Sequence, residues 1–362
     1  MNSSQLTRIR LEGYKSIRQC DLELRELNVL IGPNGAGKSN FIGFFKLLQQ
    51  MLEENLQYFV SKNGGPDAFL HFGRKKTEQL KAELYFGNNG YKFVLEPTKN
   101  NRFIFVGESL WWNVRGDYPV GRPGNLETGV HKHKNSTVIY NYVVPTMHSW
   151  RVYHFHDTSE TALVKQLQPL NDNAYFRHDA RNLAPFLRFL ENNHPEAYKR
   201  IVKTVQLVAP FFGDFHLRKN PDNPELTELE WTEKGEDTPF KAHHLSDGTL
   251  RFICLATVFL QPEDLQPQTI IVDEPELGLH PYAINILGTM IRSASKSRQV
   301  VISTQSVTLL NEFGPDDVIV ADRKDGSSSL RRVEGAELKE WLKEYSLGEL
   351  WEKNILGGRP AR

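Results

Sequence analysis

A chain of 362 residues, 39% of them hydrophobic, can bury one large core or two ordinary ones. Lysine plus arginine equals aspartate plus glutamate at 44 each, which excludes the global basic field of a nucleic-acid coat and leaves room only for a local patch. Two cysteines, Cys20 and Cys254, stand far apart without CxxC spacing, so a disulfide framework or thiolate zinc site is not expected and a reducing cytosol suits the chain. Met1 to Arg8 carries no apolar leader and no run of about 18 apolar residues occurs, so a cytoplasmic protein without a membrane span is expected.

In chain order, Arg8 to Leu11 and Cys20 to Leu24 alternate about Gly13 and predict a β-hairpin. Leu27-Asn28-Val29-Leu30-Ile31 reads as a buried parallel strand feeding a glycine-rich turn, and Phe41 to Leu52 as a helix. Gln79 to Val106 predicts short antiparallel strands, and the polar stretch Asn113 to Ser136, with His131-Lys132-His133-Lys134, a loop. Trp150 to Phe155 is strand-like. Residues 158–212 predict a compact helical insert without sustained heptads, which excludes coiled-coil arms. Strand signals return at Glu225 to Trp231, and from Leu250 helices alternate with buried strands in the rhythm of a parallel sheet. Asp325 to Ser329 predicts a turn.

Three motifs carry chemistry. Gly32-Pro33-Asn34-Gly35-Ala36-Gly37-Lys38-Ser39 is a P-loop between strand and helix. Its glycines let consecutive N–H groups face a β-phosphate, Lys38 reaches the β and γ phosphates, and Ser39 suits Mg²⁺. Thr269-Ile270-Ile271-Val272-Asp273-Glu274 is an apolar strand ending in two carboxylates, which a parallel sheet presents at its C-terminal edge. There Asp273 suits a metal shell and Glu274 the base that polarises a water. Leu245 to Arg251 places Ser246 and Gly248 at a second helix N-terminus able to hold an anion. One nucleotide does not need two such ends, so Ser246 and Gly248 are read as reaching the γ-phosphate on a second copy of the chain. The alternative is a plain helix cap at Ser246.

Together with Gly13-Tyr14-Lys15-Ser16-Ile17, Asp273-Glu274-Pro275-Glu276-Leu277-Gly278-Leu279-His280-Pro281 and Ile302-Ser303-Thr304-Gln305-Ser306, these motifs stand in the order seen in SMC/RecF-like ABC-type ATPases. The tail from Tyr345 to Pro360 resembles a short, arm-less bacterial subfamily of that group, related to OLD-type and anti-phage defence ATPases. The resemblance implies an α/β fold: an ABC-type P-loop NTPase head with a mixed parallel sheet, an antiparallel β subdomain and a compact helical insert. Its divisions would be 1–157, 158–212 and 213–362. It implies ATP and Mg²⁺ as ligands, with Asn34, Gly35, Ala36, Gly37, Lys38, Ser39, Asn40 and Lys15 around the nucleotide. Glu276 to His280 would be a D-loop crossing a dimer interface. Gln305 stands where a switch histidine is usual, able to donate a hydrogen bond but not to take up charge. The place of the family's metal-contacting glutamine is held by His154-Phe155-His156-Asp157, so His156 or Asp157 is expected to substitute.

The function expected is an ATP-hydrolysing switch that dimerises head to head. It would act in anti-phage defence beside a nuclease or other effector protein, with duplex DNA as a further candidate partner. RecF-like DNA repair, or an ATP-bound scaffold holding an effector silent, are the alternatives. A zinc site at His154 and His156 lacks further ligands. No nuclease is expected in the chain, because Asp316, Asp317 and Asp322 read as strand-end caps. Arg74-Lys75-Lys76 is either a phosphate contact or a solvated loop face.

Overall fold

The computed structural model describes residues 5–134 and 137–358. Met1 to Ser4, Asn135, Ser136 and the Arg359-Pro360 end of the tail motif therefore lie outside the described residues.

The chain opens with strands β1 (Arg8–Tyr14) and β2 (Ile17–Glu23), the expected hairpin, then β3 (Leu27–Ile31) and helix α1 (Lys38–Leu52). A short α2 (Leu56–Lys62) leads into β4 (Leu80–Phe86), β5 (Asn89–Pro97), β6 (Phe103–Trp112) and β7 (Gly116–Pro119). Helix α3 (Val138–Ser149) and strand β8 (Arg151–Tyr153) follow. The next stretch holds β9 (Gln168–Pro169), α4 (Leu183–Asn193), α5 (Pro195–Val208), β10 (Phe212–Phe215), β11 (Leu226–Thr227), β12 (Glu230–Glu233) and β13 (Phe240–Lys241). Helix α6 (Asp247–Leu260), β14 (Thr269–Asp273), α7 (Pro281–Ala294), β15 (Gln299–Ser303), α8 (Val307–Leu310), β16 (Val318–Lys324), β17 (Ser327–Arg332), α9 (Gly335–Leu338) and α10 (Leu347–Glu352) complete it.

Two six-stranded sheets organise these elements. One is antiparallel, in the order β2-β1-β4-β5-β6-β7. The other runs β17-β16-β3-β15-β14-β8, with β16, β3, β15, β14 and β8 mutually parallel and β17 antiparallel at its edge. Alternation within the parallel strands gives each face its own core. Val29, Ile31, Ile270, Val272, Val300 and Ile302 meet the helices α4 to α7 on one side. Leu30, Ile271, Val301 and Ile319 meet α1 and the antiparallel sheet on the other. Burial on both faces is why these strands read as continuous apolar runs.

Helix α1 lies between the sheets, its Phe44 ring stacked 6.4 Å from Phe93 of the antiparallel sheet. Fully burying each such phenyl ring contributes roughly 1.5–3 kcal/mol. The geometry holds the P-loop at the C-terminal end of β3, between the ends of β15 and β16.

Two expectations need correction. The stretch from Asn113 to Ser136 is not all loop: it holds β7 and a 3₁₀ turn over Val130–His133, in which His131 donates to the Leu52 carbonyl at 2.7 Å and His133 to the Val120 carbonyl at 3.0 Å. Asp325 to Ser329 is a turn only at Asp325-Gly326, because Ser327 to Ser329 pair with β16. Asp316 and Asp317 serve as caps, accepting from the Gly335 and Gly314 N–H groups, and Asp322 accepts from Arg323 N–H.

Candidate nucleotide site

The P-loop is shaped by what lies beneath it. Gly37 has φ +107°, and a Cβ there would lie 2.2 Å from the Ser328 hydroxyl and 2.9 Å from that of Ser16. At Gly32 a Cβ would meet the Ala321 carbonyl at 2.2 Å. Both positions therefore require glycine for space as well as backbone freedom. The floor is a hydroxyl cluster: Ser328 donates to Ser16 Oγ at 2.6 Å, Asn40 Nδ2 donates to the same oxygen at 2.6 Å, and Ser328 N–H donates to the Ser16 carbonyl at 2.7 Å. Arg323 Nη1 braces the loop from the side, donating to the Gly35 carbonyl at 3.2 Å.

Lys38 is only 4% exposed, and its ammonium donates to the Gly32 carbonyl at 2.6 Å and that of Pro33 at 3.3 Å. Burial pushes its pKa down, opposed by Glu274, Asp273 and Glu276. Ser39 is exposed at the mouth of the loop, as are Asn34 and Gly35, while Ala36 is buried.

Across the sheet ends, Ser303 at the end of β15 donates its hydroxyl to Asp273 Oδ1, the residue opposite it on β14. Glu274 has φ +47°, an unusual conformation for a residue with a Cβ. Its N–H donates to the Ser303 carbonyl at 3.0 Å, and its Oε1 accepts from Gln305 Nε2. Glu276 points inward. Its Oε1 accepts from Thr304 Oγ1 at 2.7 Å and from Gln305 N–H at 2.9 Å, while Oε2 is buried without a partner, and burial raises its pKa. The structure thus brings Lys38, Asp273, Glu274 and Gln305 to one end of the sheet, with Glu276 pinning the Gln305 backbone.

The other expected residues are placed as follows. Ser246 caps α6, its Oγ accepting from Thr249 N–H at 3.1 Å. Gly248 lies against the next motif, where a Cβ would sit 2.5 Å from the Gly278 carbonyl. His156 is half-buried and its Nε2 donates to the Asp273 carbonyl at 3.3 Å, so it reaches the carboxylate strand. Asp157 is fully exposed and accepts from Ser159 instead. Lys15 extends its ammonium over the rings of Tyr14 and Phe69, at 5.6 and 5.3 Å, beside Gly43 of α1. Beside His156, the His154 ring lies 3.9 Å away, and burial, then His156 and Lys46, hold His154 down at about 4.

Sequence reasoning assigned no role to Arg251, which proves central to the assembly. From α6 its guanidinium donates to the carbonyls of Phe155 at 3.1 Å, His156 at 2.9 Å and Leu277 at 3.0 Å. One side chain thereby ties the Ser246 turn, the segment after β8 and the loop after β14. Ser328 also went unread, because a serine in a turn-like sequence gives no sign of lying under a loop far away in the chain.

The donor set fits a metal-bound triphosphate: a helix N-terminus with a hydroxyl at Ser39, a carboxylate at Asp273, and a buried ammonium whose present partners are only backbone carbonyls. Among the described residues, no group of three or more His, Cys, Asp and Glu converges as a self-sufficient metal cage, so substrate oxygens would have to share a bound ion.

The chain is 23% identical over 94% of its length to the Old nuclease of Escherichia phage P2, and 23% identical over 88% to the OLD nuclease of Thermus scotoductus. It spans 63% of the length of each of these relatives. Among solved structures it is similar to an SmcHead bound to the C-winged helix domain of ScpA, at TM-score 0.62 and 17% identity over 92% of this chain and 99% of that one. A second is the Smc head domain with an extended coiled coil bound to the C-terminal domain of ScpA from Pyrococcus furiosus, at TM-score 0.59 and 14% identity over 94% and 98%. These likenesses show the fold of an SMC-type ATPase head. Residues 27–311 match the family described as "AAA domain, putative AbiEii toxin, Type IV TA system", and the chain belongs to that family of ATPase domains.

Proposed function

We propose that the chain hydrolyses Mg-ATP between two copies of itself, closing head to head when ATP binds and opening after hydrolysis. The observation that carries the catalytic part is the meeting of Lys38 with Asp273, Glu274 and Gln305 at the ends of three adjacent parallel strands. Lys38 would exchange its loop carbonyls for phosphate oxygens, and Ser39 and Asp273 are the residues that would hold Mg²⁺. When bound, that ion neutralises charge on the phosphate oxygens. Glu274 would accept the proton of the attacking water, and Gln305, whose N–H groups remain donors, would orient that water or the γ-phosphate.

Closure is supported by the surface beside Gly248. The Ser246 turn and the Leu277-Gly278 loop form one exposed face, with Leu277 44% and Tyr282 52% exposed. A capped helix end whose cap is solvent-facing can still offer N–H groups to a phosphate on a second copy. Glu274→Gln, which keeps binding but removes the base, is expected to accumulate a dimer with ATP by light scattering. A strictly monomeric variant with ATP bound would count against closure.

The direct Gln305–Glu274 hydrogen bond already engages one oxygen of the base, and a glutamine cannot take up charge as a switch histidine can, which together favour a slow cycle. A scaffold that holds ATP with little turnover is therefore the second reading, and steady-state phosphate release separates the two. The nuclease names of the relatives support a DNA-related role, which we read as anti-phage defence with a nuclease-type effector. The chain itself is expected to leave plasmid DNA intact with Mg²⁺ or Mn²⁺ and ATP.

A further inference from the structure

A second cleft, of about 330 Å³, lies at the far end of α1 from the P-loop, against the β8 edge of the parallel sheet. Its floor is the polar stripe Lys46, Gln49, Gln50 and Glu53, spaced to share one helix face. Facing it are Arg151, Tyr175, Arg177 and His178.

The cations here are arranged rather than scattered. The Arg151 and Arg177 guanidiniums lie over the Tyr175 ring, at 4.9 and 4.7 Å from its centre, and Arg177 Nη1 also donates to the Tyr175 hydroxyl at 2.6 Å. Arg151 is fixed further by donating to the carbonyls of His148 and Trp150, both at 2.7 Å. Two guanidiniums are thus held in place before any ligand arrives, which lowers the ordering cost of binding. Carboxylates offset the charge only in part, Asp172 at Arg177 and Glu53 on the cleft floor. Asp172 pairs with Arg177 at 2.8 Å, and Glu53 accepts from Gln49 and Gln50 at 3.3 and 2.9 Å. Among the described residues, neither Lys46 nor Arg151 has a carboxylate partner within ion-pair distance.

We propose that this cleft is a nucleic-acid backbone site, in which Lys46 and Arg151 receive phosphates, Arg177, engaged by Asp172 and the Tyr175 hydroxyl, holds the wall in place, and the half-buried Phe59 and exposed Tyr175 offer ring surface to a base. The alternative basic cluster is less suited. Arg74 is committed to Asp67 at 2.9 Å, to the Thr98 carbonyl and to Asn101, so it pins a loop. The cleft is also joined to the nucleotide site. His154 N–H donates to the His178 carbonyl at 3.0 Å, the His154 ring lies against His156, and His156 donates to the carbonyl of Asp273. Only this link rests on the ATP reading above, because strand binding itself needs no nucleotide.

The test is fluorescence anisotropy of the full chain with a labelled oligodeoxynucleotide, single-stranded and duplex, across a salt series without ATP. The side chain of Lys46 makes no hydrogen bond or ion pair among the described residues, so Lys46→Glu should fold; Arg151→Gln and Tyr175→Leu are the second and third variants, with circular dichroism as the check on folding. Lys46→Glu combined with Arg151→Gln is expected to weaken binding about 10-fold or more and to flatten the salt slope by about one for each phosphate that is no longer neutralised, whereas Lys75→Glu with Lys76→Glu is not. Wild-type affinity in the folded cleft variants, or weakened binding in the Lys75/Lys76 variant alone, overturns the proposal. Equal competition by inorganic pyrophosphate overturns the assignment to nucleic acid. Fluorescent ATP analogue binding, measured in parallel, is expected to be unchanged; its failure in wild type would sink the ATP reading and leave the strand result standing.

Discussion

The two six-stranded sheets divide stability and chemistry between them. The antiparallel sheet buries one face against α1 and leaves the other half-exposed, as the alternation of β4 shows, with Leu80, Ala82, Leu84 and Phe86 inside. The centre of the parallel sheet, β3, β15 and β14, is buried on both faces and meets solvent only near the strand ends. Its polar side chains therefore collect where strands stop, and the glycines of the P-loop, Asp273, Glu274 and Gln305 are all found there. A sheet wrapped on both sides concentrates function at its rim, whereas a half-wrapped sheet has a broad surface with no comparable focus.

The contrast breaks most readily at the rim. Lys38→Ala is expected to lower ATP turnover by about 10²–10³-fold, because it removes a buried cation aimed at the developing phosphate charge. Its urea unfolding midpoint should fall little, since the lysine bonds only loop carbonyls. An equal drop in turnover on replacing a lysine of the antiparallel sheet, such as Lys81, would contradict the division.

Within the wrapped sheet the expected effect is on stability. Ile302 is fully buried, and Ile302→Ala should cost about 2–5 kcal/mol in urea denaturation. Lys81→Ala, on the open face of β4, should stay within about 0.5 kcal/mol. Comparable costs at both positions would mean that the antiparallel sheet is covered on its outer face too.

The smallest effect is in pH dependence, and it sharpens the contrast at the β8 edge. His154 is held at about 4 against 6.5 for a free imidazole, by burial first, then by His156 and Lys46, with Asp273 opposing and His178 adding to the depression. Its folded pKa is the lower one, so the unfolded chain binds the extra proton between pH 6.5 and 4. Stability should therefore fall as pH drops through that window and be flat in this respect above it. His154 is partly open to solvent, which screens the effect. His154→Gln should remove part of the slope in a urea midpoint series from pH 6.5 to 4, and an unchanged slope would assign it to other groups.

Much of this was legible beforehand, for reasons that differ by element. Strand β3 and the P-loop could be read because a continuous apolar run followed by three glycines, Lys38 and Ser39 has few other uses. Helix α3 was not read. Val138-Ile139-Tyr140-Asn141-Tyr142-Val143-Val144-Pro145 favours strand by propensity and contains a proline. It becomes helical because Thr137 caps it at Tyr140 N–H and because Val143, Val144 and Met147 pack under the antiparallel sheet, a tertiary gain that outweighs local preference.

Residue identity alone determined which groups could handle phosphate here, since a P-loop, two carboxylates after an apolar strand and a second glycine-bearing helix start specify their chemistry by composition and short spacing. Only the folded chain decided what supports them. Ser328 under Gly37, Arg251 across three segments and Arg151 beside Tyr175 each join residues far apart in the chain. Such pairings leave no periodic trace in the sequence, because a single side chain reaching across a sheet edge depends on where two distant strands happen to end.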